Sequence, residues 1–369
     1  MRTMTVLGTR PEIIRLSQVI PLLDRYSDHL LVHTGQNFDD RLNGLFFREL
    51  NVRKPDFVLD VKAETAGAQI SQILSRIEPL LIQHRPDRLL LLGDTNSGLT
   101  AIVARRMGIP VYHMEAGNRC YDFRVPEEAN RRVIDHMSTV LMPYTHRSHD
   151  NLLREGFARE SIYVTGNPIK EVMDHYAGAI AASQALDALG LTRGKYFLVT
   201  MHRAENVDVE VRLRSLVEGL QRIHAEYQYP VICSLHPRTR AMVEAFGINL
   251  AHAGLSFVEP LGFFDFIHLE QSAFCLLTDS GTVQEEACIL HVPNVTVRDV
   301  TERPETIECG SNVLAGADPD VMVRLVKLVT GRPAQWQAPP EYLMTNVAAT
   351  SCRIVLGLSA AGDGLPANC

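Results

Sequence analysis

The nine residues from Thr278 to Glu286, TDSGTVQEE, combine groups that suit an anion with groups that suit hydroxyls. They follow the apolar run Ala273–Leu277, which is typical of a buried strand, and they lead into a predicted helix. Because anions are favoured at a helix N-terminus, Ser280 and Gly281 can hold a phosphate through a hydroxyl and backbone N–H groups. The Glu286 carboxylate, one turn further on, can accept the hydrogens of two neighbouring hydroxyls of a sugar or ribose. The combination indicates a nucleotide-sugar site; the alternative is an ordinary helix N-terminus whose acids complement the dipole.

Three acidic side chains stand at the ends or starts of predicted elements in the first half of the chain. Asp94 follows the apolar run Leu89–Leu92, and Glu115 comes directly after Val111–Met114. A carboxylate at the end of an apolar strand is unexpected, since burying it without partners is costly. Two ordinary explanations stay open: Asp94 can cap the next helix, and Glu127, which opens a helix, can complement its dipole. We interpret the three carboxylates as candidate proton-transfer groups.

Basic residues stand after predicted strands in both halves of the chain. Arg10, within GTRPE, follows the first strand, where a guanidinium can pair with phosphate. In the second half the same position is taken by His202-Arg203, by His236-Pro237-Arg238 and by the segment that begins at Arg298. Ligands of α/β sheets bind at such strand ends, so these residues predict an anionic ligand. A G-x-G-x-x-G fingerprint is absent after every predicted strand, so no dinucleotide cofactor is expected.

The elements that must position these residues alternate between short apolar runs and longer amphipathic segments. This alternation predicts a parallel sheet covered by helices, and it restarts after the Ala-rich stretch Ala177–Leu189. The fold class is therefore α/β, with two Rossmann-like doubly wound domains in tandem and the ligand expected in the cleft between them. We place one domain at residues 1–170 and the other at residues 171–345, with residues 346–369 as a terminal helix expected to pack back on the first domain. The predicted strands are Met4–Leu7, Leu30–His33, Arg88–Leu92, Val111–Met114, Ile162–Val164, Tyr196–Thr200, Val231–Ser234, Ser256–Val258, Phe274–Leu277 and Asn294–Val297, and the longest predicted helices include Pro11–Asp24, Gly67–Gln83, Ser97–Met107, Val207–Tyr227 and Asp318–Thr330.

Composition excludes several classes of protein. The chain has 369 residues, of which 46% are hydrophobic and 21% charged, and its formal net charge of -7 gives no basic footprint for a nucleic-acid partner. No apolar run approaches the roughly 20 residues of a membrane span, and the start of the chain does not read as a signal peptide. The seven cysteines are scattered and form no C-x-x-C pair, so they are expected to be reduced thiols in a cytoplasmic protein. No metal-ligand cluster is expected either.

A series of ordered motifs resembles those of one family, the non-hydrolysing UDP-N-acetylglucosamine 2-epimerases of the bacterial, cell-surface polysaccharide type. The resemblance extends over nearly the whole chain. The matching stretches are Gly8-Thr9-Arg10-Pro11-Glu12, Gly93-Asp94-Thr95, Glu115-Ala116-Gly117, Pro126-Glu127-Glu128-Ala129-Asn130-Arg131, Thr165-Gly166-Asn167, His202-Arg203, Thr278-Asp279-Ser280-Gly281 with Gln284-Glu285-Glu286, and Arg298-Asp299 with Thr301-Glu302-Arg303-Pro304-Glu305.

This resemblance implies a glycosyltransferase-B-type architecture with the active site in the interdomain cleft, a UDP-sugar substrate, no cofactor and a homodimer. It also implies roles for individual residues. The residues that align with the family's catalytic groups are Asp94, Glu115, Glu127 and His202. Those implied to bind the UDP-sugar are Ser280, Gly281 and Glu286, with Glu286 on the ribose, together with Arg10, His236 and Arg303 near the phosphates and Phe266 beside the uracil.

The chain departs from the family pattern at three places. Arg15 stands where the family often has a lysine, and it keeps the charge but changes its geometry, so Arg15 is included among the substrate-binding residues. The usual Gly-Gln-His loop reads Gly35-Gln36-Asn37, and the usual His-Arg-Arg-Glu run reads His202-Arg203-Ala204-Glu205. In bacterial members these regions help to bind a second, activating UDP-N-acetylglucosamine, so allosteric activation is not expected here.

The expected reaction interconverts UDP-GlcNAc and UDP-ManNAc by eliminating UDP to a 2-acetamidoglucal and adding it back. Carboxylates for proton transfer and cations for the developing diphosphate charge are what this chemistry needs. Alternatives that use the same fold are a 2-epimerase of a 6-deoxy UDP-sugar in the N-acetylfucosamine route and a hydrolysing 2-epimerase that releases ManNAc. Further alternatives are a glycosyltransferase, which would not need acids around C2, and a non-catalytic UDP-sugar-binding protein.

Overall fold

The computed structural model describes residues 1–35, 43–63, 65–235, 237–250, 252 and 254–358. It divides into two compact units. The first contains Met1–Val172 and the described residues from Glu341 to Leu358, and the second contains Met173–Pro340.

The first unit is a parallel six-stranded sheet with the strand order β3-β2-β1-β4-β5-β6. This is the strand order of a doubly wound nucleotide-binding domain. Strands β2 and β3 are added on one side of β1, and β4, β5 and β6 are added on the other side, so the switch point lies between β1 and β4. Its strands are β1 (Arg2–Leu7), β2 (Asp28–His33), β3 (Phe57–Val58), β4 (Arg88–Leu92), β5 (Val111–Met114) and β6 (Val140–Met142). Its helices are α1 (Arg10–Leu16), α2 (Val19–Tyr26), α3 (Asn43–Glu49), α4 (Ala66–His84), α5 (Thr100–Arg106), α6 (Pro126–Met137), α7 (His146–Arg154) and α8 (Ile169–His175), with 3-10 turns at Asn96–Leu99 and Arg159–Ser161.

The second unit repeats this topology with the order β12-β11-β10-β7-β8-β9, all pairs being parallel. The order across its sheet reverses between β7 and β10. Its strands are β7 (Phe197–Met201), β8 (Val231–Leu235), β9 (Leu255–Val258), β10 (Cys275–Thr278), β11 (Asn294–Thr296) and β12 (Asn312–Leu314). Its helices are α9 (Ala177–Ala181), α10 (Ala185–Ala188), α11 (Ala204–Val207), α12 (Glu210–Tyr227), α13 (Pro237–Ala245), α14 (Phe263–Glu270), α15 (Gly281–Leu290), α16 (Pro304–Glu308) and α17 (Pro319–Thr330). A 3-10 turn at Pro340–Leu343 follows where the chain returns to the first unit.

The last described helix, α18 (Val347–Gly357), belongs to the first unit and packs against α2. Polar contacts hold its two ends. The Ala348 N–H donates to Glu171 over 2.9 Å, and the Tyr112 hydroxyl donates to the carbonyl of Leu358 over 2.7 Å. These contacts satisfy groups at the helix ends that have no partner within the helix.

The central strands are buried on both faces because helices cover both sides of each parallel sheet. All five residues of β4, RLLLL, are buried, and so are all four of β5 and β10. Strands of this kind are near-continuous apolar runs, which is why their ends can be predicted closely from sequence. The predicted α/β class with two Rossmann-like doubly wound units is confirmed.

Several predicted elements differ from the structure. The expected strand Ile162–Val164 is wrong: Ile162 makes a single bridge to Leu141 and no strand forms. The expected helix Pro11–Asp24 is interrupted at Ser17–Gln18 and forms α1 and α2. Strands β3, β6 and β12 were not predicted, because two or three residues are too short to show a periodic pattern.

In the described part of the chain, no helix combines the length and apolar character that crossing a membrane requires.

Candidate active site

The loops after β1 and β4 meet at the point where the order of the first sheet reverses, which is where doubly wound folds bind ligands. Gly8 directly follows β1. A Cβ atom there would lie 2.2 Å from the Thr34 hydroxyl and 2.3 Å from the Ser97 hydroxyl, which are themselves 2.9 Å apart. The glycine therefore lets the loop after β1 approach these two side chains closely.

Glu12 joins the loop after β1 to the loop after β4. One carboxylate oxygen accepts the N–H groups of Gly8 and Thr9 over 2.9 and 2.7 Å and the Thr9 hydroxyl over 2.8 Å. The other oxygen accepts the hydroxyl of Thr95, the residue after Asp94, over 3.1 Å. Burial raises the pKa of Glu12 to about 7, although these hydrogen bonds oppose the shift. Glu12, for which no role was expected, thus fixes the turn that carries Asp94.

The Glu12→Gln variant is expected to change how stability depends on pH. The pKa of Glu12 is higher in the folded protein than its ordinary value of 4.5, so its stabilisation is fully present below that value and is lost as the pH rises through about 7. As the pH rises from about 4.5 to above 7, the free energy of unfolding of the wild-type protein should fall by about 3 kcal/mol relative to that of Glu12→Gln. Thermal unfolding of both proteins at a series of pH values measures the difference, with Glu78→Gln on the exposed face of α4 as the matched control. A wild-type-minus-variant difference that is constant with pH would contradict the expectation.

Asp94 follows β4 and pairs with Arg131 of α6. Its carboxylate accepts the Nη2 and Nε hydrogens of Arg131 over 2.6 and 3.1 Å, and Arg131 also binds Glu128 over 2.7 Å. The side chain of Asn130 donates to the backbone carbonyl of Asp94 over 3.0 Å. The Arg131 side chain is almost fully buried, whereas the Asp94 side chain is 22% exposed. The Arg131 guanidinium therefore orients the Asp94 carboxylate, which is partly exposed.

Glu115 follows β5 in a backbone conformation that is rare for a residue with a side chain, with φ at 67°. Its carboxylate accepts Arg15 Nη1 over 2.6 Å and the Asn118 amide over 3.2 Å, and both Arg15 and Glu115 are buried. The side-chain oxygen of Asn118 accepts the Ser148 hydroxyl over 2.7 Å. Strained backbone of this kind persists when its surroundings hold it, and it is found disproportionately at functional sites.

Glu127 and Arg10 lie at the beginnings of helices. Glu127 is in the first turn of α6, half-buried and four residues before Arg131, so the two project from the same face of that helix. Arg10 is the first residue of α1, half-buried, with its guanidinium 5.8 Å from the centre of the Phe46 ring. Burial lowers the pKa of Arg10.

A buried ionic network lies behind these loops. His113 of β5 donates from Nε2 to the carbonyl of Gly93 and faces Asp135 through Nδ1, both over 2.8 Å. The other oxygen of Asp135 binds Arg119 Nη2 over 2.8 Å and accepts the Gly117 N–H over 3.2 Å. Burial by itself would raise the pKa of Asp135, but the hydrogen bond and charge of His113 and the charge of Arg119 lower it. The network thus reaches Gly93, which precedes Asp94, and Gly117, two residues after Glu115.

In the second unit, the loops after β7 and β10 meet through Asp279. Its buried carboxylate accepts the backbone N–H groups of His202 and Arg203 and the Asn206 amide, all at 3.0–3.1 Å. The His202 Nδ1 atom lies 3.3 Å from the same carboxylate, and the His202 side chain is 38% exposed. Asp279 therefore fixes the backbone from which His202 projects.

The N-terminus of α15 lies against the loop after β11. Ser280 occupies the N-cap position without a capping bond from its side chain, and Gly281 is the first helical residue; a Cβ at Gly281 would lie 2.6 Å from Glu302 Oε1. Arg303 is buried and binds Glu285 through Nε. Glu286 is buried one residue further along α15. The helix thus brings a serine, a close-packed glycine and two carboxylates to the switch point of the second sheet.

Two predicted binding residues remain. Phe266 lies on α14, half-buried, at the edge of an apolar cluster beneath that helix. His236 lies outside the described residues, as do Gln36 and Asn37 of the loop considered for allosteric activation.

The structure thus groups the predicted residues in two sets. The first unit holds Arg10, Arg15, Asp94, Glu115 and Glu127, and the second unit holds His202, Phe266, Ser280, Gly281, Glu286 and Arg303. Sequence reasoning gave no role to Glu12, Arg131, Asp135 or Asp279, although all but Asp135 lie within the quoted motifs. In the described ranges, no group of three or more His, Cys, Asp or Glu side chains is arranged to hold a metal ion.

Two doubly wound units, each with charged side chains at its switch point, give the chain an α/β fold of the glycosyltransferase-B type. A glycosyltransferase named WaaG shares this fold with a TM-score of 0.60 at 11% identity, a likeness in fold alone.

Closer relatives identify the family. The family model described as UDP-N-acetylglucosamine 2-epimerase matches residues 23–355. The UDP-N-acetylglucosamine 2-epimerase of Methanocaldococcus jannaschii is 39% identical over 347 residues, which cover 92% of this chain and 95% of the relative. Its crystal structure in complex with UDP-GlcNAc and UDP superposes with a TM-score of 0.92 at 38% identity, over 96% of this chain and 99% of that one. The UDP-2,3-diacetamido-2,3-dideoxy-D-glucuronate 2-epimerase of Pseudomonas aeruginosa is 38% identical over 91% of this chain and 94% of its own length. The chain therefore belongs to the UDP-N-acetylglucosamine 2-epimerase family, and it is an epimerase.

Proposed function

We propose that this epimerase interconverts UDP-GlcNAc and UDP-ManNAc. The observation that carries the proposal is the near-full-length similarity to the M. jannaschii enzyme, whose structure was solved with UDP-GlcNAc and UDP. The charge arrangement supports it. The first unit offers carboxylates held by guanidinium groups, and the second offers a helix N-terminus with a buried carboxylate one turn further on.

The proposed reaction is an elimination followed by an addition. The C2 hydrogen of the sugar has no adjacent carbonyl to acidify it, so its removal must accompany departure of a leaving group. A base takes the C2 proton while the C1–O bond breaks, which leaves a 2-acetamidoglucal and UDP. UDP then adds back to C1, and a proton is delivered to the other face of C2. No electrons leave the substrate, so the reaction needs no redox cofactor.

We assign the proton transfers to the carboxylates of the first unit. The Asp94 carboxylate is held by Arg131 and is partly exposed, so it can reach a substrate proton as a general base must. Glu115 and Glu127 share or position the second transfer, because coupled carboxylates need not have separate roles. We assign His202 to the catalytic set as a group that acts on the leaving diphosphate.

We assign UDP to the remaining predicted residues. Ser280 and Gly281 contact phosphate at the start of α15, and Glu286 accepts the ribose hydroxyls. Phe266 lies beside the uracil in this proposal. The cationic groups that absorb the diphosphate charge are Arg10, Arg15, His236 and Arg303.

Incubation with UDP-GlcNAc in D₂O, followed by NMR, tests the proposal. We expect deuterium at C2 and the appearance of UDP-ManNAc without any added cofactor. Because the P. aeruginosa relative is named for a different sugar, a panel of UDP-sugars altered at C3 and C6 belongs to the same experiment. Exchange with none of them would contradict the proposal, and release of free ManNAc with UDP would identify a hydrolysing enzyme instead.

We further propose that the two compact units are separate domains and that the enzyme is a homodimer supplying surface-polysaccharide precursors. These proposals rest on the resemblance to the family. Light scattering coupled to gel filtration tests the dimer, since a mass near the 41.1 kDa of a single chain would exclude it.

A further inference from the structure

Glu270, the last residue of α14, is a buried acid to which the expected reaction gives no role. Its side chain has no exposure, and neither carboxylate oxygen finds a hydrogen-bond donor among the described residues. An ionised carboxylate in such a place would keep neither its hydration nor a compensating partner, which is strongly unfavourable.

The neighbour of Glu270 is another carboxyl group, that of Glu286 on α15. The two groups lie within hydrogen-bond reach of each other, and Glu286 is itself 97% buried, since it retains 3% of its exposure. Two carboxylates cannot form a hydrogen bond unless a proton lies between them, and two like charges this close in a buried site cannot both persist. Burial, followed by the charge and hydrogen bond of Glu286, raises the pKa of Glu270 well above its ordinary value.

Among the residues that the structure describes, the other ionisable groups around α14 do not offer Glu270 a donor. Tyr196, which precedes β7, donates its hydroxyl to the carbonyl of Leu269, and burial raises its pKa. On α14 itself, His268 bonds the carbonyl of Ile180 over 2.9 Å and Asp265 accepts the Ser183 hydroxyl.

We propose that Glu270 is a protonated carboxylic acid that donates a hydrogen bond to Glu286 and fixes this carboxylate for the ribose hydroxyls of the ligand. Glu270 is thus a positioning residue, and its role rests on the proposed function of Glu286. A carboxylate has acceptor sites enough for one hydrogen from Glu270 and two from a ribose diol. The pair holds one proton and one negative charge, and that charge stays on the residue that meets the ligand.

Infrared spectroscopy tests the protonation directly. At a pH well above the value of about 7 at which Glu12 titrates, the wild-type protein should still show the carbonyl band of a buried carboxylic acid. The band should disappear in Glu270→Gln and persist in Glu12→Gln, which is the matched control. A wild-type protein without the band, or a band that survives in Glu270→Gln, overturns the proposal.

Nucleotide binding tests the positioning. Glu270→Gln keeps a neutral donor, so its affinity for UDP should stay close to wild type. Glu270→Met keeps the length without the donor and should bind UDP roughly tenfold more weakly. Because the loss acts through the ribose, the preference for UDP over 2′-deoxy-UDP should shrink in Glu270→Met. Equal losses for both nucleotides would indicate a merely structural role and would overturn the positioning.

The two experiments separate this inference from the proposed function. Neither requires turnover, so a protein that binds UDP and fails to epimerise any sugar leaves the inference standing. A protein that does not bind UDP refutes the proposed ligand site and with it the positioning role, while the infrared band still decides whether the pair shares a proton.

Discussion

Turnover of the Asp94→Asn variant is expected to fall by roughly 10²–10⁴-fold, the range lost when a general acid or base is removed. The amide has nearly the shape of the carboxylate, so the loop after β4 should keep its position. What disappears is the basic oxygen, together with the negative charge that faces Arg131 over 2.6 Å. Deuterium incorporation at C2 should fall in parallel with epimerisation, because both depend on the same proton transfer.

Steady-state kinetics and C2 exchange in D₂O measure this loss. Asp87→Asn is the matched control, because Asp87 immediately precedes the same strand at its opposite, amino end, where it accepts the Arg2 N–H over 2.7 Å. That variant should keep nearly full activity. Turnover of Asp94→Asn within roughly tenfold of wild type would show that Asp94 is not an acid/base group and would shift the assignment to Glu115 and Glu127.

Asp94 and Glu115 could be proposed from sequence because each follows an uninterrupted apolar strand. Strands β4 and β5 end at Leu92 and Met114, as expected from the apolar runs. In a parallel sheet the carboxyl ends lie at one edge, so the placement of both acids there follows from the strand assignments. The same reasoning places His202 and Ser280 after β7 and β10 of the second unit.

The partners of these acids could not be predicted in the same way. Arg131 lies 37 residues from Asp94, and Arg15 lies 100 residues from Glu115. Periodicity indicates which face of an element is buried but not which charged side chains meet across elements. Arg15 was expected only as a cation for the substrate, and the structure adds that it holds Glu115. The burial of Glu270 could not be predicted either, because an acidic residue at the C-terminus of a helix is usually exposed to solvent.

The network behind the active loops should matter most for stability. The Asp135→Ala variant is expected to destabilise the first unit by about 3–5 kcal/mol, because it removes one partner from a buried ionic cluster. Arg119 would keep Glu155 at 2.6 Å but lose Asp135 at 2.8 Å, and the Nδ1 of His113 would lose its carboxylate. Asp135→Asn keeps an acceptor and should cost less, about 1–3 kcal/mol.

Hydrogen exchange is the measurement that locates this effect, since a protein of two compact units need not unfold in one step. Amides of β5 and α6 should lose protection in Asp135→Ala, whereas those of β10 in the second unit should not. Asp150→Ala on α7, whose side chain is 65% exposed, is the control and should stay within about 0.5 kcal/mol of wild type.

The same substitution should also reduce turnover in protein that remains folded. His113 holds the Gly93 carbonyl beside Asp94, and Asp135 holds the Gly117 N–H two residues after Glu115. Losing Asp135 therefore loosens both acids at once, whereas the groups of the second unit to which we assign UDP keep their partners. We expect kcat to fall with little change in the affinity for UDP, and Asp135→Asn should recover part of kcat. A variant that is destabilised but turns over at the wild-type rate would show that the network supports the fold without positioning the two carboxylates.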